Sequence, residues 1–113
     1  MAECIFCKIV AKELSADVKY EDDQILVFPD ITPKAPIHWL IIPKQHISSM
    51  QGLGEEHVAL AGHIFSHVAS IARLAGIAES GYRIVSSTGV NGGQTVAHLH
   101  VHLFGGEKLP NWF

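Results

Sequence analysis

The stretch Val96-Ala97-His98-Leu99-His100-Val101-His102-Leu103-Phe104 carries three histidines at every second position, with Ala97, Leu99, Val101 and Leu103 alternating with them. Period-two alternation marks a half-buried strand, because successive side chains point to opposite faces. It predicts a strand over Thr95 to Phe104, with the apolar residues on a core and three imidazoles on the other face, about 6.7 Å apart. A single buried histidine is ordinarily satisfied by a neighbouring carbonyl; three on one face all need partners as they leave water. Two kinds of chemistry suit them. Alternate imidazoles with a carboxylate or a fourth ligand hold a transition metal, the design of a metal hydrolase. Without metal, a ring that titrates near neutrality is a nucleophile and an acid or base.

Upstream, Ser86-Ser87-Thr88-Gly89-Val90-Asn91-Gly92-Gly93-Gln94-Thr95 is a run of small and hydroxyl residues. Its glycines let backbone amides approach a ligand closely, which suits a phosphate, while Asn91-Gly92 also reads as a plain tight turn between strands. A phosphate beside imidazole suggests attack by nitrogen on phosphorus and a phosphohistidine-type intermediate that water opens.

Farther out, Tyr82 to Val85 reads as a strand, and from Gly54 a helix begins. Its apolar stripe is Val58, Ala61, Phe65, Val68, Ala72 and Ala75, widened by Ile64 and Ile71, and Gly76 stops it. Ile37 to Ile42 is a strongly apolar strand closed by Pro43, followed by an irregular stretch over Lys44 to Leu53. Val18 to Glu21 and Gln24 to Phe28 form a hairpin around Asp22-Asp23, and Ile5, Phe6, Ile9 and Val10 predict a short helix at the start. Strands, one long helix and strands again give an α+β domain with an antiparallel sheet of about five strands, a single domain over residues 1–113.

Of 113 residues 48% are hydrophobic, enough for one core and too few for two. The longest apolar runs, such as Trp39 to Ile42, fall far short of a membrane span, so no membrane partner is expected. A formal charge of −3 argues against a basic surface for nucleic acid. The first residues offer no basic segment followed by an apolar one, so a cytoplasmic protein is expected, where disulfides are rare. The only two cysteines, Cys4 and Cys7, therefore read as half of a zinc site or as a reduced thiol pair. His57, His63 and His67 lie on or beside the polar stripe of the long helix. His63 and His67 are one turn apart, but no third ligand is evident, so they are read as solvated.

The segment His98 to Phe104 resembles the His-x-His-x-His-x-x signature of the histidine-triad (HIT) family of nucleotide hydrolases and transferases. Phe28 to His38, Pro43-Lys44-Gln45-His46-Ile47 and Gly92-Gly93-Gln94-Thr95 resemble three further family segments in the same order. The short chain and Gly105-Gly106 after the triad make it most similar to the Hint branch of nucleoside phosphoramidases, in the bacterial type with an amino-terminal Cys-x-x-Cys.

The resemblance implies a hydrolase of purine nucleoside 5′-phosphoramidates, conjugates of AMP or GMP, working through a nucleotidyl-His100 intermediate. Dinucleoside polyphosphate hydrolysis, nucleotidyl transfer, or nucleotide binding in a regulatory module with incidental turnover are the alternatives. His100 is then the nucleophile, His98 orients it through its carbonyl, and His102 and His38 contact phosphate or assist proton transfer. Asp30 and Ile31 hold the ribose and base side, and Gly93, Gln94 and Thr95 bind phosphate through backbone and hydroxyl. Ser87 stands where the branch commonly has Asn, which shifts any hydrogen bond there. No cofactor is required for catalysis; a structural zinc on Cys4, Cys7, His46 and His98 is the expected metal. A homodimer is also implied, with two sheets joined edge to edge and each tail, Glu107 to Phe113, reaching the partner's site.

Overall fold

The computed structural model describes residues 4–111. Five strands, β1 (Tyr20–Glu21), β2 (Ile25–Pro29), β3 (Ile37–Pro43), β4 (Tyr82–Val85) and β5 (Val101–Gly105), form one antiparallel sheet in the order β1-β2-β3-β5-β4. Two helices accompany it, α1 (Ile5–Val10) and α2 (Val58–Leu74). The class is the expected α+β.

The hairpin closes where the sequence put an acidic turn. Asp22 Oδ1 accepts the Gln24 and Ile25 amides at 2.8 and 2.9 Å, the local bonding that lets an aspartate set a turn. The central strand β3 is buried along nearly its whole length because both faces of the sheet are covered. Trp39 and Ile41 join Ile25, Val27, Leu99, Val101 and Leu103 under α2, whose Leu60, Ile64, Val68, Ile71 and Ala72 supply the other half of the larger core. Leu40 and Ile42 point the opposite way, to a smaller cluster with Leu26, Phe28, Phe6 and Ile9 beneath α1. His38, two residues before Leu40, lies on that second face, as does His102, the cross-strand partner of Leu40.

Two expectations need correction. The helix begins as a 3-10 turn (Glu55–His57) and buries the predicted Ile64, Val68, Ile71 and Ala72, but Leu60 joins them while Val58 and Phe65 are 69% and 60% exposed. The buried stripe of Leu60, Ile64, Val68, Ile71 and Ala72 runs at helical spacing against the sheet, and Val58 and Phe65 fall off its edge. The triad strand is also shorter than Thr95 to Phe104. Its ladder with β3 ends at the pair Ile41 and Val101. Beyond it the Pro43 carbonyl is taken by the ring of His98 at 2.8 Å, and Leu99 donates its amide to Ile47 at 2.6 Å. His98 and His100 therefore precede the strand, although the alternation of faces persists.

Candidate active site

The triad occupies the α1 side of the sheet. His98 is fully buried and His100 is 4% exposed, both with their rings against the edge of Phe6. His102 is half-buried and lies parallel to Phe104, with ring centroids 5.6 Å apart.

Hydrogen bonds assign the proton on each ring. A carbonyl only accepts, so His100 donates its Nδ1–H to the His98 carbonyl at 2.6 Å, which leaves a lone pair on Nε2. The same His100 carries a carbonyl that accepts from Ser86 Oγ at 2.8 Å, fixing its backbone from the other side. An amide only donates, so His38 Nδ1 accepts from Lys34 at 3.1 Å and its proton sits on Nε2. That proton is given to His102 Nδ1 at 2.9 Å, which puts the His102 proton on Nε2. Neither His100 Nε2 nor His102 Nε2 meets a partner among the described residues, and none of their buried side-chain nitrogens is left unpaired, so both atoms reach solvent. A free nitrogen lone pair and a free N–H thus open side by side, on rings 5.0 Å apart.

The electrostatics favour the neutral form of His102 and His38. Burial pushes His102 down to about 4, and His100 and His38 beside it add to the shift. Burial likewise lowers His38, against the pull of the Asp30 carboxylate. Burial alone would raise Asp30, but the Thr32 amide and the nearby His38 hold its carboxyl below the ordinary value.

Asp30 is mainly a turn former. Its Oδ1 accepts the Thr32 amide and hydroxyl at 2.9 and 3.1 Å, and its Oδ2 lies 3.5 Å from His38 Nε2. Ile31 beside it is 95% exposed. The loop before the triad departs from the expectation that Gly93 and Gln94 offer backbone amides to phosphate. Gly93 donates to Val90 and Gln94 to Gly89, both at 3.0 Å, so both amides are spent inside the loop. Gln94 instead acts as a staple, with its side chain accepting the Gly89 amide and donating to the Ser48 and Val96 carbonyls. Gly92 has no room for a side chain, since a Cβ there would collide with the Thr88 carbonyl. Ser87 is half-buried and Thr95 exposed, and their hydroxyls are among the loop's side-chain donors.

The four donors Cys4, Cys7, His46 and His98 converge at the end of α1. Cys4 Sγ lies 3.4 Å and Cys7 Sγ 3.7 Å from His98 Nδ1, with Cys7 Sγ 3.2 Å and His98 Nδ1 3.1 Å from His46 Nδ1. Ligands of a tetrahedral zinc stand about 3.3 to 3.8 Å from one another, so the spacing fits such an ion. The His98 Nε2–H bond to Pro43 fixes the tautomer that turns Nδ1 toward the sulfurs. His98 thus faces the cysteine group, so the three triad rings do not converge on one ion. Sequence reasoning missed the Lys34 amide and the Pro43 carbonyl, because backbone groups leave no residue-type signal, and it gave Ser86 of the loop no role on the His100 carbonyl. It also missed a partner for His63, whose Nε2 lies 2.7 Å from Asp22 Oδ2.

These rings, on a five-stranded sheet, define a histidine-triad protein: residues 3–111 match the family described as the scavenger mRNA decapping enzyme C-terminal binding region, and the chain belongs to the HIT family. Among its relatives, a HIT-like protein of Synechococcus elongatus is 50% identical, covering 95% of this chain and 93% of its own. The purine nucleoside phosphoramidase of Escherichia coli is 44% identical over 95% of this chain and 90% of that one. A solved HIT family hydrolase from Clostridium thermocellum superposes with a TM-score of 0.95 at 41% identity, covering 99% and 97% of the two chains. Among the described residues no helix is long and apolar enough to cross a membrane.

Proposed function

We propose that the protein hydrolyses purine nucleoside 5′-phosphoramidates, and that His100 Nε2 is the nucleophile. The observation that carries this is the pairing of a free lone pair on His100 with a free N–H on His102, both open to solvent. His100 Nε2 attacks phosphorus, the P–N bond breaks, and the amine departs with a proton taken from a solvent water beside the His102 Nε2–H, leaving hydroxide. The charge that appears on the nucleotidyl-imidazole ring sits against the His98 carbonyl, whose dipole is already aimed at Nδ1. Water then attacks phosphorus, releasing the nucleoside monophosphate and restoring His100. His38 is a positioning residue here, since its proton goes to His102 and its ring is buried. Ile31, exposed at the mouth, and Asp30 are assigned to the nucleoside side; the hydroxyls of Ser87 and Thr95 are assigned to the phosphate.

The relationship to the Escherichia coli phosphoramidase supports the P–N substrate. The decapping description of the family model favours a second reading, cleavage of a dinucleoside polyphosphate by the same nucleophile. Rates for an adenosine phosphoramidate, a guanosine analogue, a dinucleoside polyphosphate and a nucleotide sugar test the choice. The phosphoramidates should turn over fastest, and preference for the polyphosphate would overturn it.

Cys4, Cys7, His46 and His98 would hold a structural zinc. Four protein ligands close the coordination, so the ion would tie α1 to the triad segment and supply no catalysis. Free thiols fit a reducing, cytoplasmic setting. We also assign a homodimer. The β4 edge is unpaired among the described residues, and beside it lies an apolar cleft of about 330 Å³ lined by Met50, Leu53, Phe65, Ile84 and Val85. Trp112 and Phe113, at the end of the tail expected to reach the partner, lie outside the described residues.

A further inference from the structure

His63 and His67 sit four residues apart on α2, on one face of the helix and one turn from each other. Their rings lie 4.0 Å apart. The fold brings the β1–β2 turn against them, so that Asp22, His63 and His67 each place a ligand atom within 4.8 Å of the others. All three are half-buried, at a cleft they share with Tyr20 and Gln24.

We propose that Asp22, His63 and His67 form a second metal site, for a borderline divalent transition ion such as Zn²⁺, Co²⁺ or Ni²⁺, which clamps the β1–β2 turn to α2. The chemistry of each group is arranged for it. His67 donates its Nδ1–H to the His63 carbonyl at 2.7 Å, so its ring is held by its own helix and the lone pair is on Nε2. His63 Nε2 stands 2.7 Å from Asp22 Oδ2, sharing a proton that a metal ion replaces on binding. Asp22 is positioned independently of any ion: its Oδ1 accepts two turn amides, and Tyr20 donates its hydroxyl to Oδ2 at 2.8 Å. Two imidazoles one helical turn apart with a carboxylate from another element are a ligand set that zinc accepts, with the remaining positions left to water. An ion pair between His63 and Asp22 would need no second histidine facing it.

The site is built for binding rather than hydrolysis. In metal hydrolases with two histidines at this spacing, a glutamate follows the first histidine and acts as the base. Here that position is Ile64, buried in the core. The proposal does not depend on the nucleotide reading of the triad.

Cobalt distinguishes the two metal sites, because only the Cys4–Cys7 group gives thiolate-to-metal charge-transfer absorption. Titration of the full-length protein with Co²⁺ should fill two sites, one with that absorption and one with ligand-field bands alone. His67→Gln, which keeps a helix-compatible side chain, and Asp22→Asn, which keeps the turn acceptor, should each weaken the second site at least about tenfold and leave the first unchanged. Excess Ni²⁺ should raise the melting temperature of the wild type and not of His67→Gln. The absence of a second equivalent, or equal Co²⁺ affinity and an equal Ni²⁺ shift in wild type and His67→Gln, overturns the proposal. A missing charge-transfer band with the second equivalent intact would instead count against the cysteine site alone.

Discussion

His98 holds His100 by its backbone and joins the cysteine cluster by its ring: its carbonyl accepts His100 Nδ1–H at 2.6 Å while its Nδ1 faces the sulfurs of Cys4 and Cys7. The two roles use different atoms and are separable by substitution. Cys4→Ser should lower zinc content and melting temperature yet spare most of the turnover rate at low temperature. Metal analysis of protein purified without chelator, paired with activity in excess chelator, checks this. Loss of activity on chelation before any unfolding would make the metal catalytic.

His38→Ala removes the donor that fixes the tautomer of His102. We expect kcat to fall about 10²-fold with KM nearly unchanged, because His38 touches His102 rather than the nucleotide. Steady-state kinetics decide it; a rise in KM at constant kcat would place His38 in ground-state binding.

Stability should fall with acid. His102, held at about 4 by burial and its histidine neighbours, and His38 and His98, also lowered by burial, bind fewer protons folded than unfolded. Stability is therefore full above the unfolded histidine value of about 6.5 and declines as pH falls from there through the folded values. His102 alone accounts for about 2–3 kcal/mol of that decline. Urea unfolding of metal-free protein at pH 7.5 and pH 5 measures it, and an unchanged or higher midpoint at pH 5 would contradict the assignment.

Asp22→Ala strips the β1–β2 turn of an acceptor for two amides and a hydroxyl, and should cost about 1–2 kcal/mol. Asp22→Asn, which retains the Oδ1 acceptor, should cost less. Denaturant titration of both variants at neutral pH resolves the order.

Phe65 lies 60% exposed beside the cleft at the β4 edge, so Phe65→Asp should leave the monomer folded and disrupt the dimer. Light scattering across dilution should give twice 12.3 kDa for wild type and a lower mass for the variant. A wild-type mass near 12.3 kDa throughout would exclude the dimer.

The sequence made the site's cast legible but not its bonding. Alternation placed His98, His100 and His102 on one face, and four donors of the kind zinc takes do meet where Cys4, Cys7, His46 and His98 were expected to. What stayed hidden were partners without a side-chain signature: the Pro43 carbonyl that draws His98 out of the ladder, and the Lys34 amide that sets the proton on His38. The stapling role of Gln94 was not legible, because only the fold brings the Ser48 and Val96 carbonyls within reach of its side chain. The helix face was legible at Ile64, Val68, Ile71 and Ala72 but drawn too far round at Val58 and Phe65, because apolar residues also flank the buried stripe. Asp22 escaped as a partner of His63 because 41 residues separate them and only the sheet order brings the hairpin to the helix.

The account rests on His100 as the atom donor to phosphorus. Acid-labile adducts should be trapped by quenching the protein in mid-turnover with an adenosine phosphoramidate at neutral to alkaline pH, followed by peptide mass analysis. A mass increase of one nucleoside monophosphate on the peptide containing His100, absent from His100→Ala, which should still bind nucleotide, is the expected result. An adduct on another residue, or turnover retained by His100→Ala, would contradict it.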